Sequence, residues 1–152
     1  MIRSYEKKDA ERCSEIMRAC LDVMEEYEPD LKELLCEKRT GGWLDEQFQK
    51  YDRVWVYDRE GIILGYASLN AETIEGLYVD PHYHHENIGT TLYRELEQYA
   101  QKKLEFLKVE SSFFAESFYL KEGFQTIEKG QVAMGTFTVL FIDMKKDLVN
   151  SK

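Results

Sequence analysis

The chain has little that would carry it into a membrane, through an oxidising compartment or onto nucleic acid. No stretch approaches the roughly 20 apolar residues that span a bilayer. Met1-Ile2-Arg3-Ser4 runs straight into polar sequence, so no signal peptide or lipidation tail is expected. Cysteine is limited to Cys13, Cys20 and Cys36, an odd number without CxxC spacing. Cys13 and Cys20 stand two turns apart on one face of helical-looking sequence, which reads as buried small hydrophobes. A cytoplasmic location is expected. Excess positive charge is also missing: 20 Lys+Arg against 29 Asp+Glu leave −9 at pH 7. That balance argues against broad contact with DNA or RNA phosphates, which needs clustered cations. An acidic chain suits a cationic partner such as an amine, and acidity also simply keeps a protein dispersed. Proline occurs only as Pro29 and Pro81, and no repeat or low-complexity segment appears.

What is present supports one folded domain over residues 1–152, with 43% apolar and 13% aromatic residues to build a core. Ile2 to Tyr5 reads as a strand. Ala10, Cys13, Ile16, Met17, Cys20, Leu21 and Met24 recur at helical spacing. Pro29 opens a second helix carrying Leu31, Leu34 and Leu35, and Gly41-Gly42 is expected to stop it. Trp43, Leu44, Phe48 and Tyr51 suggest another turn or two of helix. Val54–Tyr57 and Ile62–Leu69 form a hairpin around Asp58-Arg59-Glu60-Gly61, and Thr73–Val79 is a fourth strand ended by Asp80-Pro81. A long helix follows through Ile88, Leu92, Leu96, Tyr99 and Ala100. Then come a strand at Phe106–Val109, a short helix over Phe114–Lys121, and two strands at Phe124–Glu128 and Val139–Met144. The order is β-α-α-β-β-β-α-β-α-β-β, a mixed α/β (α+β) domain with helices flanking one sheet.

Chemistry concentrates after residue 73. Ile74 to Thr90 is an apolar strand, a polar loop and the start of a strongly amphipathic helix. The first N–H groups of such a helix lack intrahelical partners and carry partial positive charge, so the turn is built for phosphate. Gly89 lets backbone approach a ligand closely, and Asn87 tolerates a left-handed backbone. His82, His84 and His85 invite a metal reading. Zinc needs three or four converging ligands, alternating positions in a phosphate-wrapping loop converge poorly, and no distant Cys or His cluster completes the set. No metal site is expected.

A second segment, Val109-Glu110-Ser111-Ser112-Phe113-Phe114-Ala115-Glu116-Ser117-Phe118-Tyr119-Leu120-Lys121-Glu122-Gly123-Phe124, sets a strand, a Ser-led helix and a Gly-Phe stop in succession. With the preceding LYVxPxYxxxxIGxxL pattern, the chain resembles the GNAT superfamily, the Gcn5-related N-acetyltransferases. The element order agrees over essentially the whole chain, and residues 74–124 carry the specific signal. The family loop Arg/Gln-x-x-Gly-x-Gly/Ala falls on His84-His85-Glu86-Asn87-Ile88-Gly89. His84 thus replaces the usual Arg or Gln and Asn87 the first Gly. Main-chain donors survive both changes, whereas Glu86 beside a diphosphate is unfavourable unless it points outward.

The resemblance implies the GNAT acyltransferase fold, acetyl-CoA as cosubstrate, and an amine acceptor attacked directly, without a covalent enzyme intermediate. It implies a fourth strand splayed from the fifth, with N–H groups around Leu77, Tyr78 and Val79 facing pantetheine and the acetyl oxygen. CoA contacts then fall on Leu77, Tyr78, Val79, His84, His85, Glu86, Asn87, Ile88, Gly89, Thr90, Ser112, Phe118 and Tyr119. Tyr119 matches the family's tyrosine in the FY pair and is expected to protonate the departing thiolate. Strand alternation places Thr73, Glu75, Leu77 and Val79 on one face. The family often carries a carboxylate base on that face, so the resemblance implies Glu75, the only carboxylate there, as general base. Glu110, at the end of the fifth strand, and a water chain are the alternatives. The acceptor site would be built from the first two helices, the loop at Gly41-Gly42-Trp43 and the final hairpin, with Glu25, Glu26, Tyr27, Glu28 and Asp30 nearby. Monomer and homodimer both remain open. Two other classes stay in view: a non-catalytic acyl-CoA-binding regulatory domain, and an unrelated α+β interaction module.

Overall fold

The computed structural model describes residues 1–148. Its order is β1 (Ile2–Ser4), α1 (Ala10–Asp22), α2 (Pro29–Lys38), α3 (Gly41–Lys50), β2 (Arg53–Arg59), β3 (Ile62–Asn70), β4 (Thr73–Val79), α4 (Ile88–Gln101), β5 (Phe106–Ser111), α5 (Glu116–Lys121), β6 (Gln125–Met134) and β7 (Phe137–Asp147). The seven strands form one sheet in the order β1-β2-β3-β4-β5-β7-β6. Every neighbouring pair is antiparallel except β4 and β5.

Apolar periodicity decides which side of the sheet each helix covers. Ile88, Leu92, Tyr93, Leu96 and Ala100 of α4 pack with Leu64, Leu69, Ile74, Leu107 and Val109 of the strands, and Tyr119 and Phe124 extend this core. On the opposite face Cys13, Ile16, Met17, Cys20 and Leu21 of α1 meet Leu31, Leu35, Leu44 and Phe48 of α2 and α3 against Val56, Ile63 and Tyr66. Cys13 and Cys20 are buried within it as free thiols, as their spacing predicts. No helix among the described residues is long and apolar enough to cross a membrane.

The Gly41-Gly42 pair does not stop α2, which has already ended at Lys38; it opens the helix expected through Trp43, Leu44 and Phe48, which runs ten residues although the predicted element order leaves it out. The Thr40 hydroxyl accepts a hydrogen bond from Trp43 N at 3.2 Å and caps that start. A Cβ at Gly41 would stand 3.1 Å from the Glu11 Cα, so glycine lets α3 approach α1 closely. The first hairpin is tighter than predicted. Strand pairing continues to Arg59, leaving Glu60 (φ 53°) and Gly61 (φ 89°) as a two-residue left-handed loop whose Gly61 N donates to Asp58 Oδ1 at 2.8 Å. α5 begins at Glu116, after a turn in which Ala115 N donates to Ser112 Oγ at 3.2 Å. β6 and β7 pair out to Met134↔Phe137, far beyond the two short strands expected.

Candidate active site

β4 and β5 share only two rungs, Thr73↔Lys108 and Ile74↔Val109, and then part. β5 stays paired to β7 through Ser111, and β4 stays paired to β3 as far as Val79. The result is a cleft whose walls are unpaired strand edges. Asp80 N donates to Leu64 O at 2.8 Å. By antiparallel alternation the main chain of Tyr78 and Gly76 is turned toward β3, and that of Leu77 and Val79 toward the cleft. Of the three residues expected to offer main-chain donors there, Tyr78 is committed elsewhere.

A bulge alters the side-chain faces as well. Ser68 pairs with Gly76 and Leu69 with Ile74, which leaves Glu75 as an extra residue in β4. Ile74, Leu77 and Val79 all pack toward the α4 side. Thr73, Glu75, Leu77 and Val79 therefore do not share one face, because the bulge resets the alternation. Glu75 is exposed at the cleft rim on the side of Tyr51, whose phenol feels its charge. Burial, and then the like charge of Glu110, push the Glu75 carboxyl above its ordinary value. Glu110 stands one residue past the last rung, as Glu75 does, so both carboxylates flank the mouth of the cleft.

The turn after β4 has a distinctive main chain. Asp80 Oδ1 accepts from His82 N at 3.0 Å, and Arg12 Nη2 donates to Asp80 Oδ2 at 2.5 Å, holding the strand end to α1. His85 (φ 74°) and Asn87 (φ 63°) are both left-handed. The first helix bond is Thr91 N to Asn87 O, at 3.0 Å. Among the described residues none accepts from the N–H groups of His85, Glu86, Asn87, Ile88, Gly89 or Thr90. Six consecutive donors at the positive end of a 14-residue helix fit a diphosphate. The side chains are disposed to suit. Glu86 Oε1 is held by Arg59 Nη1 at 3.1 Å, so its charge is drawn toward the β2–β3 hairpin. His84 Nε2 donates to the Val79 carbonyl at 2.9 Å, a bond that sequence spacing does not foretell. Ile88 is buried in the core and contributes only main chain. A Cβ at Gly89 would meet Val79 Cγ2 at 3.6 Å and Phe118 Cε2 at 3.9 Å, so that position lies between the end of β4 and α5.

Tyr119 is 4% exposed, with its ring edge-on to Phe118 and Phe124 at 5.2 Å each. Burial and then Tyr78 raise its phenol above the ordinary value, so it stays protonated at neutral pH. No hydrogen-bond partner for its hydroxyl is found among the described residues. Phe118 is half-buried against the Tyr93 ring at 6.1 Å. Ser112 is spent on the turn before α5. Glu26, from the loop after α1, reaches across to accept from Phe113 N at 2.7 Å and Phe114 N at 3.2 Å. It is thus a strap between the loop after α1 and the turn after β5, and not a free acidic group. Among the described residues, no group of three or more His, Cys, Asp and Glu is placed to hold a metal ion.

Comparison with known proteins agrees with this architecture. Residues 16–148 match the family model described as acetyltransferase (GNAT) domain. A GCN5-related N-acetyltransferase from Rhodopseudomonas palustris superposes with a TM-score of 0.88 at 24% identity, covering 97% of this chain and 95% of that one. The PaiA N-acetyltransferase of Thermoplasma acidophilum, solved with coenzyme A, gives 0.73 at 22% identity over 97% and 98% of the two chains. YncA, a putative acetyltransferase from Salmonella typhimurium solved with acetyl-CoA, gives 0.71 at 19% identity over 100% and 95%. No curated protein matches. The family match extends over most of the chain and the fold coincides with these structures: the protein belongs to the GNAT family of acetyltransferases.

Proposed function

We propose that the protein is an acetyl-CoA-dependent N-acetyltransferase that acetylates a primary amine of a small molecule or peptide by direct attack in a ternary complex. The observation that carries this reading is the run of six unpartnered N–H groups from His85 to Thr90, set at the end of a strand whose free edge faces a cleft. The diphosphate of acetyl-CoA would take those donors. Pantetheine would then lie along the edge of β4, where the main chain of Leu77 and Val79 turns outward, and one of their N–H groups would meet the acetyl oxygen as it gains charge.

The amine nitrogen attacks the thioester carbon, forming C–N and breaking C–S. The ammonium proton passes to Glu75, whose raised pKa brings it closer to that of the group it must deprotonate. Glu110 or a water chain is the alternative route. Tyr119 donates its phenolic proton to the departing sulfur and recovers one from solvent. An ordinary thiol has pKa near 8.5, below a phenol near 10, so this transfer must accompany sulfur departure. Burial raises the Tyr119 phenol further, so the proton moves only as the sulfur leaves and gains charge.

The test is calorimetric titration with acetyl-CoA, followed by thiol release measured across peptide N-termini, lysine side chains, amino acids, polyamines and aminoglycosides. Binding with turnover of one class supports the enzyme. Binding without turnover of any class assigns a regulatory acyl-CoA-binding domain instead, and no binding leaves only the fold.

A further inference from the structure

Arg39 follows the last residue of α2, on the face of the sheet that α1 covers. Its carbonyl accepts from the buried Ser14 hydroxyl at 2.6 Å, which pins this helix end to α1. Its guanidinium contacts Met17 Sδ at 3.9 Å and stands 5.8 Å from the Trp43 ring centre. Among the described residues no carboxylate comes within 4.0 Å of it, although the chain carries many acids. A half-buried guanidinium left without an anion, in a chain of charge −9, is a group with unfilled binding capacity.

Its surroundings are phenolic. Met17, Tyr66 and, at their margin, Tyr27, Tyr51 and Tyr78 belong to one packed cluster, and Phe137 and Val139 of the last hairpin close over it. Two of these tyrosines are near charges of both signs: Tyr51 feels Glu75 and Arg39, and Tyr27 feels Glu26, Arg39 and Glu110. Glu26 is occupied by Phe113 N and Phe114 N, which leaves Glu75 and Glu110 at the mouth. One cation, a phenolic floor and two free carboxylates make a dipolar site.

We infer that the acceptor is a zwitterionic amine of the amino-acid class, its carboxylate taken by Arg39 and its ammonium presented at Glu75 and Glu110. This rests on the acetyltransferase reading above and narrows it. The guanidinium fork suits a planar carboxylate held two-pronged, and the tyrosine hydroxyls supply further donors. A polyamine or aminoglycoside would instead set a second cation against Arg39, with repulsion in place of attraction.

The experiment uses the full chain and sets matched acceptors side by side: a free amino acid, its carboxamide, the corresponding decarboxylated amine, and a dipeptide with the same first residue. The amino acid is expected to show a kcat/KM about tenfold or more above the other three. Arg39→Gln should lower that ratio at least about tenfold, and Arg39→Lys, which keeps charge without the fork, should lower it less. Acetyl-CoA affinity serves as the check that both variants are folded. Calorimetric titration of the amino acid into protein saturated with coenzyme A gives a readout independent of turnover, and Arg39→Gln should abolish that heat. Equal turnover of acid and carboxamide, or a preference for polyamines, overturns the inference while the acetyltransferase stands. Failure of acetyl-CoA to bind overturns the acetyltransferase reading itself, a separate result.

Discussion

Ile74 of β4 and Val109 of β5 form the last rung between these two strands, and one residue farther on Glu75 and Glu110 flank the opening. Their like charges are coupled: Glu110 adds to burial in raising the Glu75 carboxyl. A base must be deprotonated to act, so kcat is expected to rise with pH through a value above the usual carboxylate range. Glu110→Gln removes the repulsion and should move that limb to lower pH. Glu75→Gln should remove the limb and lower kcat about 100-fold or more. A full pH–rate profile of both variants decides this; an unaltered limb in Glu75→Gln transfers the role to Glu110 or to water.

Tyr119→Phe should lower kcat about 100-fold while the Kd for acetyl-CoA stays within about twofold. The hydroxyl has no described bonding partner, so its removal should shift the unfolding free energy by less than about 1 kcal/mol. Stopped-time thiol release with calorimetry on the same preparation checks both halves. Weakened binding with unchanged kcat would make Tyr119 a CoA-orienting residue.

Asn87 holds a left-handed backbone at φ 63° without using its side chain as a cap. Asn87→Ala should therefore cost about 1 kcal/mol in urea unfolding, whereas Asn87→Gly should cost nothing measurable. Saturating acetyl-CoA should raise the unfolding midpoint of all three proteins, since a ligand that binds only the folded turn stabilises it by mass action.

Far from the cleft, Arg3 donates two hydrogen bonds to Asp9, at 2.8 and 2.9 Å, and Glu6 N adds a third at 2.9 Å. Burial alone would raise the Asp9 carboxyl, but these donors outweigh it and hold the carboxyl below its ordinary value. A lowered folded pKa contributes stability above the unfolded value near 3.9, lost as pH falls through the folded one. Stability should decline below about pH 4, and Asp9→Asn should lower it by about 2 kcal/mol at neutral pH while flattening that acid slope. Chemical unfolding between pH 2 and 7 measures both.

Much of the fold was legible because its signals are local. The α4 stripe from Ile88 to Ala100 and the pairing of Pro29 with Leu31 and Leu35 follow from side-chain period and from proline's missing donor. Gly41-Gly42 misled, since a glycine pair after an apolar helix reads as a stop. Only the packing of α3 beside Glu11 reveals it as a start. The ends of β6 and β7 were missed for a similar reason: Glu128 to Thr138 lacks a clean alternation, and these residues become strand by pairing with one another.

Residue order by itself determined the strand-turn-helix at 73–101, the polar turn from His84 to Thr90 that opens α4, and the tyrosine in the short helix. Each depends on backbone preferences and periodicity within a few residues. Which groups meet was decided by tertiary structure. The bulge at Glu75 comes from β3 pairing, the outward turn of Glu86 from an arginine 27 positions away, and the strap at Glu26 from a loop 87 residues from Phe113. Arg39 likewise gains its phenolic surroundings only when α2, β3 and β4 are folded together. Contacts between distant segments depend on sheet order and helix docking, and no local period encodes them.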